Sequence, residues 1–480
     1  MGRSAGGGRV ASRAACALIV VALFSLACPS FRDDSLAFDH PPEAVILISL
    51  DTLRADYLNF HGYEAFETSP FIDSFARESV VFENAFVTQP STLPSHMSLF
   101  TGLYPQRHGA DPDTMLFRGI PTMAALMRQS GYATAGFADG GFLRPRWGYG
   151  RGFDVYSGRP QRGFRQILDE GIRWVDMHEG ERFFLFLHTY DVHSREDGLL
   201  YRSPEPTLGR FTRELEEADP EFDPDAIRSR IARGPAAATK GDIAYLRARY
   251  AEGVRHVDDE LRRFFAELRA RDLDDRAAII LWSDHGEGLR NHGKWLHGEL
   301  YGHTLRSVLM IRPPGGLERS RRAEAVVSAL DVLPTLLDLV GASGPKHLDG
   351  RSLVGLLRGE PLEPRPAFSL MDEGGDPLYS IRTERFHYIS DRAGSKRELF
   401  DVAGDPNEER NLSGLQLPIE GELHDRLMAW VERPGAAGSK RAPRRAVEIE
   451  GEAEAELRAL GYLDPESPPA SSNEQSAGRD

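Results

Sequence analysis

The sequence predicts an α/β sandwich with a mostly parallel central sheet, plus a small C-terminal α+β subdomain. Three apolar runs, the helical patterns between them and a change of pattern after about Pro361 carry that expectation. The runs are AVILISLD (Ala44 to Asp51), FFLFLHTYD (Phe183 to Asp191) and AAIILWSDH (Ala277 to His285). Near-continuous apolar runs of this length suit parallel strands covered on both faces. Helical patterns such as Ile120 to Gln129 and Tyr245 to Arg271 separate them, which is the alternation of an α/β layer fold. Beyond Pro361, YSIRTERFHYISD (Tyr379 to Asp391) has strand character. KRELFDVAGDPNEERNL (Lys396 to Leu412) reads as a strand and a turn, and Val447 to Leu460 as a closing amphipathic helix. The expected organisation is a main domain over 43–360, the subdomain over 361–463, and a tail over 464–480 whose Ser, Pro and charge predict disorder.

The chain has 480 residues, 41% of them hydrophobic, enough to bury a sizeable core. A net charge of −15 with no long basic stretch argues against a nucleic-acid partner. Residues 1–28 read as a signal peptide. Arg3, Arg9 and Arg13 precede an apolar segment, Ala14 to Ala27, that is short for a membrane span. The segment ends SLAC, which resembles a bacterial lipoprotein cleavage site. The expected location is therefore the periplasm or cell envelope, with membrane contact through a lipid anchor on Cys28. The other cysteine, Cys16, lies inside the signal, so the processed chain has neither an internal disulfide nor a catalytic thiol.

Each apolar run ends in a carboxylate or a histidine. In open α/β sheets the ligand site lies beyond the C-terminal strand ends. Asp51, Asp191, His193, Asp284 and His285 are thus expected to converge. Asp284 and His285, side by side, are good metal ligands, and the loop carrying His297 can fold back over them. A second feature is QPSTLPSHMSLFTGLYPQRHG, Gln89 to Gly109. Thr92 is a natural N-cap, Pro94 suits a first turn, and Gly102 can close the helix. That helix could point its positive end at an anion, with Thr92 as the reacting group. His292 reads as loop structure, Asp258 as a solvated or packing residue, and Arg54 as either a structural ion pair or a support of the site.

At these residues a resemblance emerges. ILISLDTLRADYLNFHGY, TLPSHMSLFTGLYPQRHG, FFLFLHTYDVHS, LWSDHGEG and SALDVLPTLLDLVGA resemble, in order, the successive blocks of the sulfatase family within the alkaline phosphatase superfamily. ELFDVAGDPNEERNL and ELRALGYL resemble its C-terminal segments. The resemblance spans about residues 43 to 463. It implies an alkaline-phosphatase-like sandwich, a divalent metal and ester hydrolysis through a covalent intermediate. By it, Asp51, Thr92, Asp284 and His285 fall on metal and nucleophile positions, and His193 on a substrate-binding histidine.

The departures bear on the chemistry. The family carries Cys or Ser in a C/S-x-P-S-R motif, converted to formylglycine; here the motif is Thr92-Leu93-Pro94-Ser95-His96. Its arginine has become His96, its later lysine aligns with His297, and Gly136 to Leu143 replaces a lysine-bearing stretch. Threonine at the nucleophile position also resembles nucleotide pyrophosphatases and lipid phosphoethanolamine transferases. A threonine alkoxide suits phosphoryl transfer, whereas a sulfothreonine has no second hydroxyl with which to expel sulfate. The expectation is a hydrolase of phosphate or phosphonate esters, with sulfate esters second and a small-molecule, lipid or glycan substrate. Alternatives are a phospho-headgroup transferase and an inactive ligand-binding module. His96, His193 and His297 are expected to bind substrate, His193 or His297 also serving catalysis. Asp191, His193 and His297 form a conceivable second metal site. The resemblance implies Ca2+; the histidine-rich set suits Zn2+ or Mn2+.

Overall fold

The computed structural model describes residues 38–111, 114–160, 162–194, 201, 203–218, 223–232, 237–372, 376–433 and 451–460. The signal segment with Cys28 and the tail over 464–480 lie outside the described residues.

The three apolar runs are the centre of a nine-stranded sheet. The strands are β1 (Ala44–Leu50), β2 (Val80–Phe86), β3 (Ala133–Ala138), β4 (Val155–Gly158), β5 (Phe183–Thr189), β6 (Ala277–Trp282), β7 (Arg306–Ser307), β8 (Leu309–Arg312) and β9 (Arg321–Ser328). Their order is β4-β3-β5-β1-β6-β8-β2-β7, with β9 also on β2. β4, β3, β5, β1 and β6 run parallel, and β8 runs against β6 and β2. Side chains alternate across β1: Val45 and Leu47 enter one core cluster, Ile46, Ile48 and Leu50 the other. That two-faced burial is why the run is apolar throughout. Each such side chain contributes roughly 1.5–3 kcal/mol.

The helices that cover the sheet include α1 (Pro70–Arg77), α2 (Thr92–Thr101), α3 (Met123–Gln129), α4 (Gly163–Met177), α5 (Lys240–Arg269) and α6 (Val332–Leu339). Leu93, Met97 and Phe100 of α2 belong to the first cluster, Ile167 and Leu168 of α4 and Leu261 of α5 to the second. Asp258 is a packing residue: from α5 its carboxylate accepts the Phe71 and Ile72 amides, capping the buried start of α1.

The C-terminal part is a second, antiparallel sheet of β10 (Ala367–Met371), β11 (Leu378–Arg382), β12 (Phe386–Asp391) and β13 (Arg397–Asp401). The stretch expected to have strand character over Tyr379 to Asp391 is a hairpin, β11 and β12. One face packs on α7 (Pro418–Val431) through Leu423, Leu427 and Trp430. The other gives Ile389 and Phe400 to the main core. The closing helix is α8 (Glu452–Ala459).

Glu408 fastens this sheet to the rest. Its buried carboxylate accepts from Gly302 N (2.7 Å), Arg382 Nη1 (3.0 Å) and His387 Nδ1 (2.7 Å). Burial alone would raise its pKa; His387 and Arg382 outweigh that and hold it at about 2, against 4.5 ordinarily. A depressed carboxylate stabilises the fold above its unfolded pKa, and that contribution is lost as pH falls from about 4.5 to about 2. It amounts to roughly 3 kcal/mol. Glu408→Gln is therefore expected to lower the melting temperature at pH 7. Its deficit against the parent should shrink across that acid window; a deficit constant down to pH 2 would contradict this account.

Candidate active site

Because β5 and β6 flank β1 in parallel register, with Ser49 opposite both His188 and Trp282, three strand ends open side by side. β1 delivers Asp51, β6 delivers Asp284 and His285, and the turn after β5 delivers His193. α2 is pinned to this edge: Ser95 Oγ donates to the Asp284 carbonyl at 2.7 Å. Its first residue, Thr92, then places Oγ1 3.2 Å from Asp51 Oδ2 and 3.4 Å from His285 Nε2. Thr92 is thus the first helical residue rather than the N-cap, which is Ser91. Its hydroxyl reaches the acidic cluster. Gly102 closes α2 in a left-handed conformation, as expected.

Asp51, Asp284 and His285 are wholly buried, and their ligand atoms lie within 4.8 Å of one another. Asp51 Oδ1 and Asp284 Oδ2 have no hydrogen-bond partner, although Asp284 Oδ1 accepts from the Thr52 and His285 amides. His285 Nδ1 donates to the Gly286 carbonyl at 2.9 Å, which turns the lone pair of Nε2 toward Thr92. Two unsatisfied buried carboxylate oxygens and one aimed imidazole nitrogen fit a divalent cation. Burial and the facing Asp284 push Asp51 well above the usual carboxylate range. For Asp284, burial is outweighed by His285, His96 and His188, which hold it at about 2. A cation would take the place of the proton that Asp51 otherwise keeps.

His297 joins the set. Its ring lies 4.5 Å from that of His285 and 5.2 Å from that of His193. His193 Nδ1 donates to the Ser194 carbonyl at 2.6 Å, and its Nε2 lies 3.9 Å from Asp51 Oδ1. Burial pushes His193 down to about 3 and His297 to about 4, so both rings are neutral at pH 7.

Two expected site residues have other duties. His96 is fully buried with both nitrogens engaged, Nδ1 donating to Thr92 O and Nε2 accepting from Ser49 Oγ, each at 2.8 Å. It braces the nucleophile helix against β1 rather than presenting a nitrogen to substrate. Asp191 turns away from the site: its Oδ2 accepts from Phe164 N at the start of α4 and from His256 Nε2 of α5. The conceivable second metal site of Asp191, His193 and His297 is therefore not assembled, because the Asp191 carboxylate caps a helix. Arg54 makes both of the contacts expected as alternatives. It pairs with Asp56, and its Nη1 holds the Glu287 carbonyl beside the site. His292 stacks on Tyr301 and is loop structure.

Two residues escaped the sequence reading. His188 is fully buried, with Nε2 3.3 Å from Asp51 Oδ2. Glu287 is fully buried beside His297. Cavities of about 700 and 790 Å3 are present, but neither is lined by Asp51, Thr92 or His285.

A parallel-centred α/β sandwich with a hydroxyl beside two carboxylates and a histidine at its strand ends is the arrangement of an ester hydrolase with a candidate metal centre. Residues 43–342 match the family model Sulfatase, and residues 291–432 match the C-terminal model of N-sulphoglucosamine sulphohydrolase. The chain belongs to the sulfatase family. Arylsulfatase K of Gallus gallus is 24% identical over 80% of this chain and 81% of its own length. A multifunctional alkaline phosphatase superfamily protein of Trinickia caryophylli is 26% identical over 77% and 91%. Among solved structures, the phosphonate monoester hydrolase of Agrobacterium radiobacter superposes with a TM-score of 0.65 at 23% identity. That match covers 81% of this chain and 95% of the other. A structure in complex with its substrate D-glucosamine-2-N,6-O-disulfate also gives 0.65, at 20% identity, covering 82% and 97%.

Proposed function

We propose that the chain hydrolyses phosphate or phosphonate esters, with Thr92 as the nucleophile. The observation that carries this reading is the position of Thr92 Oγ1. It is a hydroxyl at a helix start, within 3.4 Å of both Asp51 and His285. Asp51, Asp284 and His285 would hold a divalent cation. Such an ion, when bound, lowers the hydroxyl pKa and neutralises charge on the transferred group.

Thr92 Oγ1 attacks phosphorus and passes its proton to Asp51 Oδ2. The new O–P bond forms as the P–O bond to the leaving alcohol breaks, and the alcohol oxygen keeps the electron pair. Water then attacks the phosphothreonine, giving a proton to neutral His297 or His193, and the P–Oγ1 bond breaks. Oγ1 recovers the proton from Asp51; the departed alkoxide takes its proton from solvent, and the histidine releases its own to solvent. The start of α2 stabilises the anion in both steps. A sulfothreonine would lack the second hydroxyl by which formylglycine enzymes expel sulfate, which favours phosphorus. The names of the curated relatives favour a second reading, hydrolysis of sulfate esters on a glycan or aryl alcohol. In either reading the protein acts at the bacterial cell envelope, held by a lipid on Cys28. That placement rests on the N-terminal signal pattern alone. No helix among the described residues is long and apolar enough to cross a membrane.

The test is turnover by metal-stripped protein reloaded separately with Ca2+, Zn2+ or Mn2+. The substrates are p-nitrophenyl phosphate, a phosphodiester, a phosphonate monoester and p-nitrophenyl sulfate. Metal-dependent release from a phosphorus ester supports the reading, and release from the sulfate alone replaces it with the second.

A further inference from the structure

The Glu287 carboxylate is an unexplained group. It is fully buried and lies two residues beyond His285. Its Oε1 accepts the Gly288 amide at 3.2 Å, whereas Oε2 has no hydrogen-bond partner. A buried carboxylate with an unsatisfied oxygen is costly, and one placed beside reacting groups calls for a functional explanation. Among the described residues its side chain has one ion-pair partner, His297, whose Nδ1 stands 3.7 Å from Oε1. The base of Glu287 is fixed, because Arg54 Nη1 donates to its carbonyl and to Asn291 Oδ1, each at 2.8 Å. His297 instead stands at the end of a loop closed by the contact of the Gly288 amide with the Leu296 carbonyl. Leu289, Arg290, His292 and Leu296 of that loop are left-handed. The loop alone does not dictate which ring nitrogen of His297 faces the site.

We infer that Glu287 is a positioning residue, accepting a hydrogen bond from His297 Nδ1–H and so aiming the bare Nε2 at the ester. The 3.7 Å separation closes by less than 1 Å when substrate fills the site, since catalytic hydrogen bonds are often long before substrate binds. The logic is that of a carboxylate behind a histidine, which sets tautomer and ring direction together. His193 is aimed in the same sense by the Ser194 carbonyl, so the two rings present matching nitrogens. The role in turnover rests on the function proposed above, but the contact itself can be tested without it.

The experiment has two readouts. Ring 15N shifts of labelled histidine, assigned with His297→Gln, report the His297 tautomer at a pH where the ring is neutral. The parent is expected to carry the proton on Nδ1. Glu287→Ala should move the population toward Nε2–H, and Glu287→Gln, whose amide oxygen still accepts, should restore Nδ1–H. Where an ester is turned over, Glu287→Ala should lower kcat about 10- to 100-fold with KM changed less than about threefold, and Glu287→Gln should recover part of the loss. An unchanged tautomer in Glu287→Ala, or a parent carrying the proton on Nε2, would overturn the inference. If Glu287→Ala does not fold, Glu287→Gln and the parent tautomer still decide it. Absence of turnover on every ester would fail the proposed function and leave the tautomer result standing.

Discussion

Thr92→Ala is expected to lower turnover at least about a thousandfold while leaving the fold intact. The size follows from removing the atom that forms the covalent bond; losses at a nucleophile are far larger than those at any supporting contact. The structural cost is small, because Oγ1 contacts Asp51 and His285 at the long distances of 3.2 and 3.4 Å. One lost hydrogen bond is worth about 1 kcal/mol. Thr92→Ser keeps the hydroxyl and should recover activity to within roughly tenfold of the parent. The measurements are p-nitrophenol release, thermal melting and mass spectrometry of rapidly quenched enzyme. The last should find phosphate on the peptide containing Thr92. Alanine activity within tenfold of the parent would remove Thr92 from the chemistry and return attention to a direct attack by water.

Asp51→Asn should abolish turnover and yet stabilise the metal-stripped protein. The carboxylate is fully buried, burial and Asp284 raise its folded pKa, and Oδ1 lacks a hydrogen-bond partner. A group whose folded pKa is raised supports the fold only below its unfolded pKa, near 4. Its contribution is lost as pH rises toward the folded value. At pH 8 the metal-stripped parent therefore carries an electrostatic penalty at this buried carboxyl that asparagine does not. The metal-stripped variant should melt a few degrees higher than the metal-stripped parent at pH 8, and that gap should narrow toward pH 4. Divalent cation should reverse the order. At a hundredfold excess over Kd it stabilises the parent by about 2.7 kcal/mol and the variant far less. Melting curves with chelator and with each cation, at two pH values, check both halves. A variant less stable than the parent in chelator would mean that Asp51 serves the fold and not a cation.

The strand ends and the nucleophile helix were legible because each has a purely local signature. An apolar run fixes a buried strand, the first carboxylate after it marks the end, and the topology of open α/β sheets places the site there. His188 was not legible. It sits inside FFLFLHTYD, where nothing local separates it from a tolerated polar interruption. Its contact with Asp51 exists because β5 lies beside β1 with His188 opposite Ser49. That pairing is a property of the sheet and not of the run. Asp191 misled for the converse reason. Two residues from His193, it looks like a partner of that histidine, but the turn after β5 sends the two side chains to different places. Asp191 finds the α4 start and His256 of α5. Glu287 was visible as part of LWSDHGEG, but its burial and its distance to His297 depend on the fold of the loop after it. His96 took the motif position of an arginine, and only the structure reveals that both of its nitrogens are already committed.

The C-terminal sheet has a bearing on biosynthesis. β10 is stitched to the segment just ahead of the nucleophile helix, Leu370 N donating to Thr88 O and Ser369 Oγ to Val87 O. Glu408 reaches back to Gly302, and Trp430 of α7 lies edge-on to Tyr104, 5.0 Å away. The residues that react are thus made early by the ribosome but are held by residues made later. A nascent chain that has displayed Thr92, Asp51 and even His297 still lacks the strand that holds the approach to α2. Catalytic competence therefore arrives in one late event, after about residue 430 has emerged, and shortened translation products should be inert rather than partly active.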